Sequence, residues 1–129
     1  MPPFSPPPVA SLDAESRLLL RAARSWVIIA CRRTSPRSAM EAMLGTSAGR
    51  FGQLMEQITC AWPEPFTTYP PCACAQSPDE ATLLALLRHA ANREAHAFHR
   101  HLYEMLPLSV RERLWHAASA VAADWIAAP

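Results

Sequence analysis

The sequence predicts an all-α protein, a compact bundle of about six helices around a Pro/Cys-rich central loop. Three observations carry that reading. Apolar residues recur at i, i+3, i+4 and i+7 along most of the chain, and no segment alternates with the period of a strand. Ser, Asp, Pro and Gly then punctuate the pattern at helix-length intervals. Finally, 129 residues, half of them hydrophobic and 18% charged, suffice for one core and are too apolar for intrinsic disorder.

Residues 1–10 hold five of the thirteen prolines and read as a disordered Pro-rich arm, which leaves 11–129 as a single helical domain. The first helix is expected over 12–33 with Ser11 as N-cap. Leu12, Leu19, Ala23, Trp26 and Ala30 share one face, widened by Leu18, Ala22 and Ile29 on one side and by Leu20, Val27 and Cys31 on the other. A stripe that wide suits a central helix. Arg17, Arg21, Arg24 and Arg32 fall on the remaining face and read as a solvated stripe. Ser35-Pro36 breaks the helix, because proline disfavours helical geometry in the residue before it. A short helix over 36–45 carries Met40, Met43 and Leu44 and stops at Gly45. A third over 47–61 repeats Phe51, Leu54, Met55, Ile58 and Trp62 until Pro63 and Pro65 end it.

Residues 63–77 form the one long irregular connection, with Phe66 and Tyr69 as the side chains able to pin it. Ser77-Pro78-Asp79-Glu80 then spells a helix start: a serine cap, proline at the first helical position, acids at the positive dipole end, and Glu80 closing a capping box. That helix is expected over 78–91, ending at Asn92, which also caps a fifth over 93–106. Ser109 to Glu112 spells a second capping box and opens a last helix over 110–127, with Leu114, Ala118, Val121 and Trp125 on its main face.

Composition excludes several function classes. All twelve basic residues are Arg and the net charge is +1, so no global field holds nucleic acid or an anionic membrane. The longest strongly apolar run, Trp26 to Cys31, is far below the roughly 20 residues that cross a bilayer. The N-terminus lacks the pattern of a secretory leader. A cytoplasmic protein is expected, its four cysteines free thiols or ligands rather than disulfides. Enzyme signatures are missing: Gly45, Gly49 and Gly52 lack the Gly-Lys-Ser/Thr of a phosphate loop, and neither a nucleophile elbow nor His-Glu-x-x-His occurs. The chain is not expected to be an enzyme.

Cys72-Ala73-Cys74 is the most distinctive chemistry. Cysteines one residue apart are poorly placed to bond each other but can share a metal or a third thiol. A helix N-terminus a few residues on favours thiolate. The co-ligands available to make a zinc centre are Cys60 and the i, i+3 pair His96 and His99. His89 and His101 complete a histidine cluster in sequence, but the late histidines His96, His99 and His101 share no common face. A second candidate is a helix-turn-helix over 38–58, with Gly45 at the turn and Arg50, Gln53 and Gln57 facing a groove. Glu41, four residues before the turn, departs from the alanine such a unit favours, and an ordinary α-hairpin gives the same pattern. The third is an apolar strip of Trp115, Ala122 and Ile126 on the last helix, fit for a protein partner or a homodimer.

The stretch PPCACAQSPDEATLLALLRHA, followed by LPLSVRERLWHAASAVAA, resembles small all-helical proteins of GC-rich bacteria. In these a Pro-Cys-rich loop precedes an Asp-Glu-opened, Leu/Ala-rich helix. The resemblance implies the fold and no catalytic residues. The sequence therefore points first to a non-catalytic, self-associating interaction or regulatory module. The alternatives are a DNA-binding regulator and a metal- or thiol-redox-responsive protein using Cys72 and Cys74.

Overall fold

A computed structural model describes residues 6–126, the side chains of residues 125 and 126 excepted. Six α-helices follow one another: α1 (Ala14–Cys31), α2 (Arg37–Leu44), α3 (Ala48–Ala61), α4 (Pro78–Ala91), α5 (Ala95–Leu102) and α6 (Leu108–Ile126). No strand occurs among the described residues. Helices α1 and α6 each pack on both α3 and α4, which ties the two halves of the chain into one core, while α2 lies on α1 and α3, and α5 on α4 and α6. That core is built from the expected faces, including Leu20, Phe51, Met55, Leu83, Phe98 and Leu114.

The boundaries differ from expectation where a second cap competes. Asp13, not Ser11, caps α1: its carboxylate accepts from Ser16 N–H at 2.7 Å. That bond, together with the Ser16 side chain, holds the Asp13 carboxyl below its ordinary value. Ser11 instead closes a short three-ten turn, Val9–Ser11. Helix α6 begins at Leu108, ahead of Ser109, so the expected second capping box does not form. Arg111 N–H there reaches the Pro107 carbonyl at 3.0 Å. Asn92 ends α4 as expected but does not cap α5, whose N-cap is Glu94.

Helices α1 and α4 both finish on a Schellman turn with arginine, rather than glycine, in the left-handed position. Arg33 and Arg93 each have φ +57°. After α4, Arg93 N–H bonds the Ala90 carbonyl at 3.2 Å and Glu94 N–H bonds the His89 carbonyl at 2.8 Å, the paired bonds of that motif. The turn folds Glu94 back under His89.

One expectation about charge is corrected. Arg24 is not part of a solvated stripe; it is 1% exposed and paired with Glu80, itself 0% exposed. The arm expected over 1–10 lies partly outside the described residues, and its described part makes two hydrogen bonds to the 63–77 loop. Val9 N–H donates to the Cys74 carbonyl at 2.8 Å, and Gln76 Nε2 donates to the Pro7 carbonyl at 2.6 Å.

Candidate functional sites

The 63–77 loop is organised by two acids at the start of α4. Glu80 Oε1 accepts from Ser77 N–H at 2.8 Å and Ser77 Oγ accepts from Glu80 N–H at 3.0 Å, the expected capping box. The same carboxylate takes Tyr69 N–H at 3.0 Å and a bidentate Arg24 fork, Nε at 2.7 Å and Nη2 at 3.0 Å. Arg24 further donates to the carbonyls of Ala73 at 3.0 Å and Ala75 at 2.8 Å. Asp79 receives Trp62 Nε1–H at 3.1 Å and Thr67 N–H at 2.7 Å. Phe66 is buried edge-on against Trp62, with ring centroids 5.4 Å apart. Tyr69 pins the loop through its backbone.

This network accounts for the shape of the Cys72-Ala73-Cys74 segment. The Ala73 and Ala75 carbonyls turn toward Arg24, and the Cys74 carbonyl between them turns toward Val9. Cys72, Cys74 and Cys60 are all exposed. The structure does not gather them with His96 and His99, and among the described residues no three His, Cys, Asp or Glu side chains converge on a metal position. Cys60 lies beside Val110 and Arg113 of α6. His96 and His99 line a different pocket with Tyr103 and Arg111, where His99 Nδ1 stands 3.4 Å from the Arg111 guanidinium.

The helix-turn-helix candidate fares similarly. Helices α2 and α3 do flank a turn at Gly45, which takes φ +60°. Arg50, however, pairs with Asp124 of α6, and Gln57 is half-buried with its side-chain oxygen inside. Gln53 is left in a groove beside Glu41 and Glu56, whose charges would repel phosphate. Nor does the α6 strip present a free apolar face. Ala122 is buried, Trp115 is half-buried edge-on against Phe98 at 5.1 Å, and the Ile126 side chain lies outside the described residues.

Two arrangements are not visible in the sequence. The first is the groove between α2, α3 and the end of α1, into which all three glycines of the chain open. Trp26 and Met40 supply its apolar wall, with Glu41, Gln53 and Glu56 at its polar edge. Trp26 is only 8% exposed. Its indole Nε1 lies 4.0 Å from where a Gly52 Cβ would stand, so the N–H opens on the groove, with no acceptor among the described residues. The spacing Gly45, Gly49, Gly52 is the signal in the sequence, but alone it shows only that no phosphate loop is present.

The second is a histidine pair across the α4–α5 turn. His89 Nε2 and His101 Nε2 are 3.2 Å apart, and His89 Nδ1 is 2.9 Å from Glu94 Oε1. Twelve residues separate the rings in sequence, so same-helix spacing could not reveal them. Desolvation first, then the neighbouring His89 and Arg88, depresses His101 protonation below the ordinary imidazole value of 6.5. Above that value both folded and unfolded chains hold neutral His101. As pH falls, the unfolded chain protonates first, so stability should decline from pH 7 toward pH 5. Urea unfolding across that range checks it, and His101→Gln should flatten the decline.

No family of known proteins, no curated protein and no solved structure matches the chain. Among the described residues no helix is long and apolar enough to cross a membrane.

Proposed function

We propose that the protein is a non-catalytic interaction module that takes an extended segment of a partner protein into the groove between α2 and α3. The carrying observation is the Trp26 indole, whose ring is nine-tenths buried while its N–H opens on the groove and has no acceptor within the fold. A donor at the floor of a groove is left to water when the groove is empty, and a backbone carbonyl of an occupant would replace that water for a net gain of about 0.5–1.5 kcal/mol. Extended segments have carbonyls free for this; the interior of a helix does not.

The glycines support the same reading. Gly45 is required by its left-handed turn, but Gly49 and Gly52 sit inside α3. A Cβ would meet nothing within 4 Å at Gly49 and only the Trp26 indole at 4.0 Å at Gly52. Packing within the fold does not call for them, and glycine weakens a helix interior by roughly 0.5–1 kcal/mol relative to alanine, less in the first turn, where Gly49 stands. A bare helix surface lets an occupant's backbone approach closely. Gly49→Ala and Gly52→Ala should therefore each raise stability by about that amount in urea unfolding, while weakening partner binding. Loss of stability in either variant would show that the fold itself uses the glycine.

The direct test selects binders from a library of random twelve-residue peptides and titrates them calorimetrically. Selected peptides should bind the native protein, lose about tenfold in affinity to Trp26→Phe, roughly the worth of one hydrogen bond, and fail on Gly49→Leu, which fills the groove. Equal binding to all three proteins, or no selected binder, would overturn the proposal. Sedimentation velocity on the native chain determines whether a second copy can act as the partner.

A further inference from the structure

The geometry points to a divalent metal site at the α4–α5 turn, formed by Nε2 of His89 and Nε2 of His101 and suited to Zn2+, Ni2+ or Cu2+. Two imidazole nitrogens bound to one ion at about 2.0–2.1 Å, at a tetrahedral angle, stand about 3.3–3.4 Å apart. The observed separation is 3.2 Å, with ring centroids 5.1 Å apart and planes 35° from parallel. The rings therefore already face each other at the separation a shared ion imposes.

The groups behind the rings favour the same state. Glu94 Oε1, 2.9 Å from His89 Nδ1, places the ring proton on Nδ1 and turns the Nε2 lone pair toward His101. This is the carboxylate–histidine arrangement that orients metal ligands and raises their basicity. Glu94 is itself fixed by its N–H bond to the His89 carbonyl at 2.8 Å. On the other side, His101 is set by Phe98 and Leu102 of α5, both fully buried. Its Nδ1 has no hydrogen-bond partner among the described residues, so the ring can keep its proton there and offer Nε2.

Since no third His, Cys or acidic side chain joins the pair among the described residues, water completes the coordination. The site is an open two-histidine chelate, and imidazole donors select Zn2+, Ni2+ or Cu2+ over Mg2+ or Ca2+. The competing arrangement is a single N–H···N bond between the rings.

Protein without a polyhistidine tag, titrated with ZnCl2, separates the two. Zn2+ should raise the melting temperature progressively, as a ligand specific for the folded state does. In long-range 1H–15N spectra of the native protein it should move the His89 and His101 Nε2 resonances. His89→Ala or His101→Ala should abolish the response, whereas His96→Ala and His99→Ala should keep it. Glu94→Gln should weaken Zn2+ binding roughly ten- to a hundredfold, and lowering the pH to about 5 should remove the response as protons compete. Unmoved Nε2 resonances and an unchanged melting temperature with Zn2+, Ni2+ and Cu2+ would overturn the site and leave the proton bridge. A Zn2+ response that survives both His89→Ala and His101→Ala would overturn it equally.

Discussion

Replacing Arg24 with methionine should destabilise the protein by about 3–5 kcal/mol, the scale of breaking a buried ion pair from one side. Arg24 donates four hydrogen bonds from a buried position, two to Glu80 and one each to the carbonyls of Ala73 and Ala75. Methionine fills the space but leaves the Glu80 carboxylate buried with only the Tyr69 and Ser77 N–H groups. Lysine should also fail, because an ammonium cannot reproduce the planar fork that reaches a carboxylate and two carbonyls at once. The double variant Arg24→Met with Glu80→Gln should lose less than the two single losses combined, since it no longer buries an unpaired charge. Urea unfolding measures all three, and limited proteolysis within 66–77 reports whether the loop opens first. A cost near zero for Arg24→Met would show that the loop is held by Asp79 and Phe66 alone.

The second large effect is expected at Phe98. Phe98→Ala should cost about 3–5 kcal/mol, the usual range for deleting a fully buried aromatic ring. The ring is 0% exposed, edge-on to Trp115 at 5.1 Å. Helix α5 is only eight residues long, too short to persist without tertiary packing. Its hold on the core rests on Phe98 and Leu102, with Leu106 just beyond. Hydrogen exchange should therefore show α5 opening below the global unfolding free energy in Phe98→Ala, and the His89–His101 pairing should be lost with it. Phe98→Leu, which keeps most of the volume, should cost less and retain the pairing. If α5 stays as protected in Phe98→Ala as in the native protein, Phe98 is not its anchor.

Much of the architecture was legible because local rules and the core agreed. Ser77-Pro78-Asp79-Glu80 carries four independent start signals, and α4 begins there. Phe51, Leu54, Met55 and Ile58 form one face at helical spacing, and all four are buried. Rules that compete locally were less decisive: Asp13 outcompeted Ser11 as cap, and Leu108 began α6 before Ser109 could cap it.

What stayed hidden depends on tertiary structure. Arg24 lies between Leu20 and Ile28 at i−4 and i+4, next to the apolar face rather than central to the polar one. Its burial follows from a loop 49 and 51 residues further on that presents carbonyls to it. Glu80 does close the capping box its spacing predicts, but a capping box says nothing about a second partner on the far side of the carboxylate. The histidine pair needs Arg93 in the left-handed region and Glu94 folded back, which no helical wheel contains. Trp115 and Ala122 looked surplus on α6 because the number of neighbours around that helix cannot be read from its own sequence.

The groove remains the centre of the functional account, and the Trp26 indole proton tests it most directly. A 1H–15N spectrum resolves that signal, assigned by its disappearance in Trp26→Phe. On adding a groove-selected peptide it should move and gain protection from exchange, with the Trp62 indole, already bonded to Asp79, left in place. A peptide that binds while the Trp26 indole signal stays still would contradict the account.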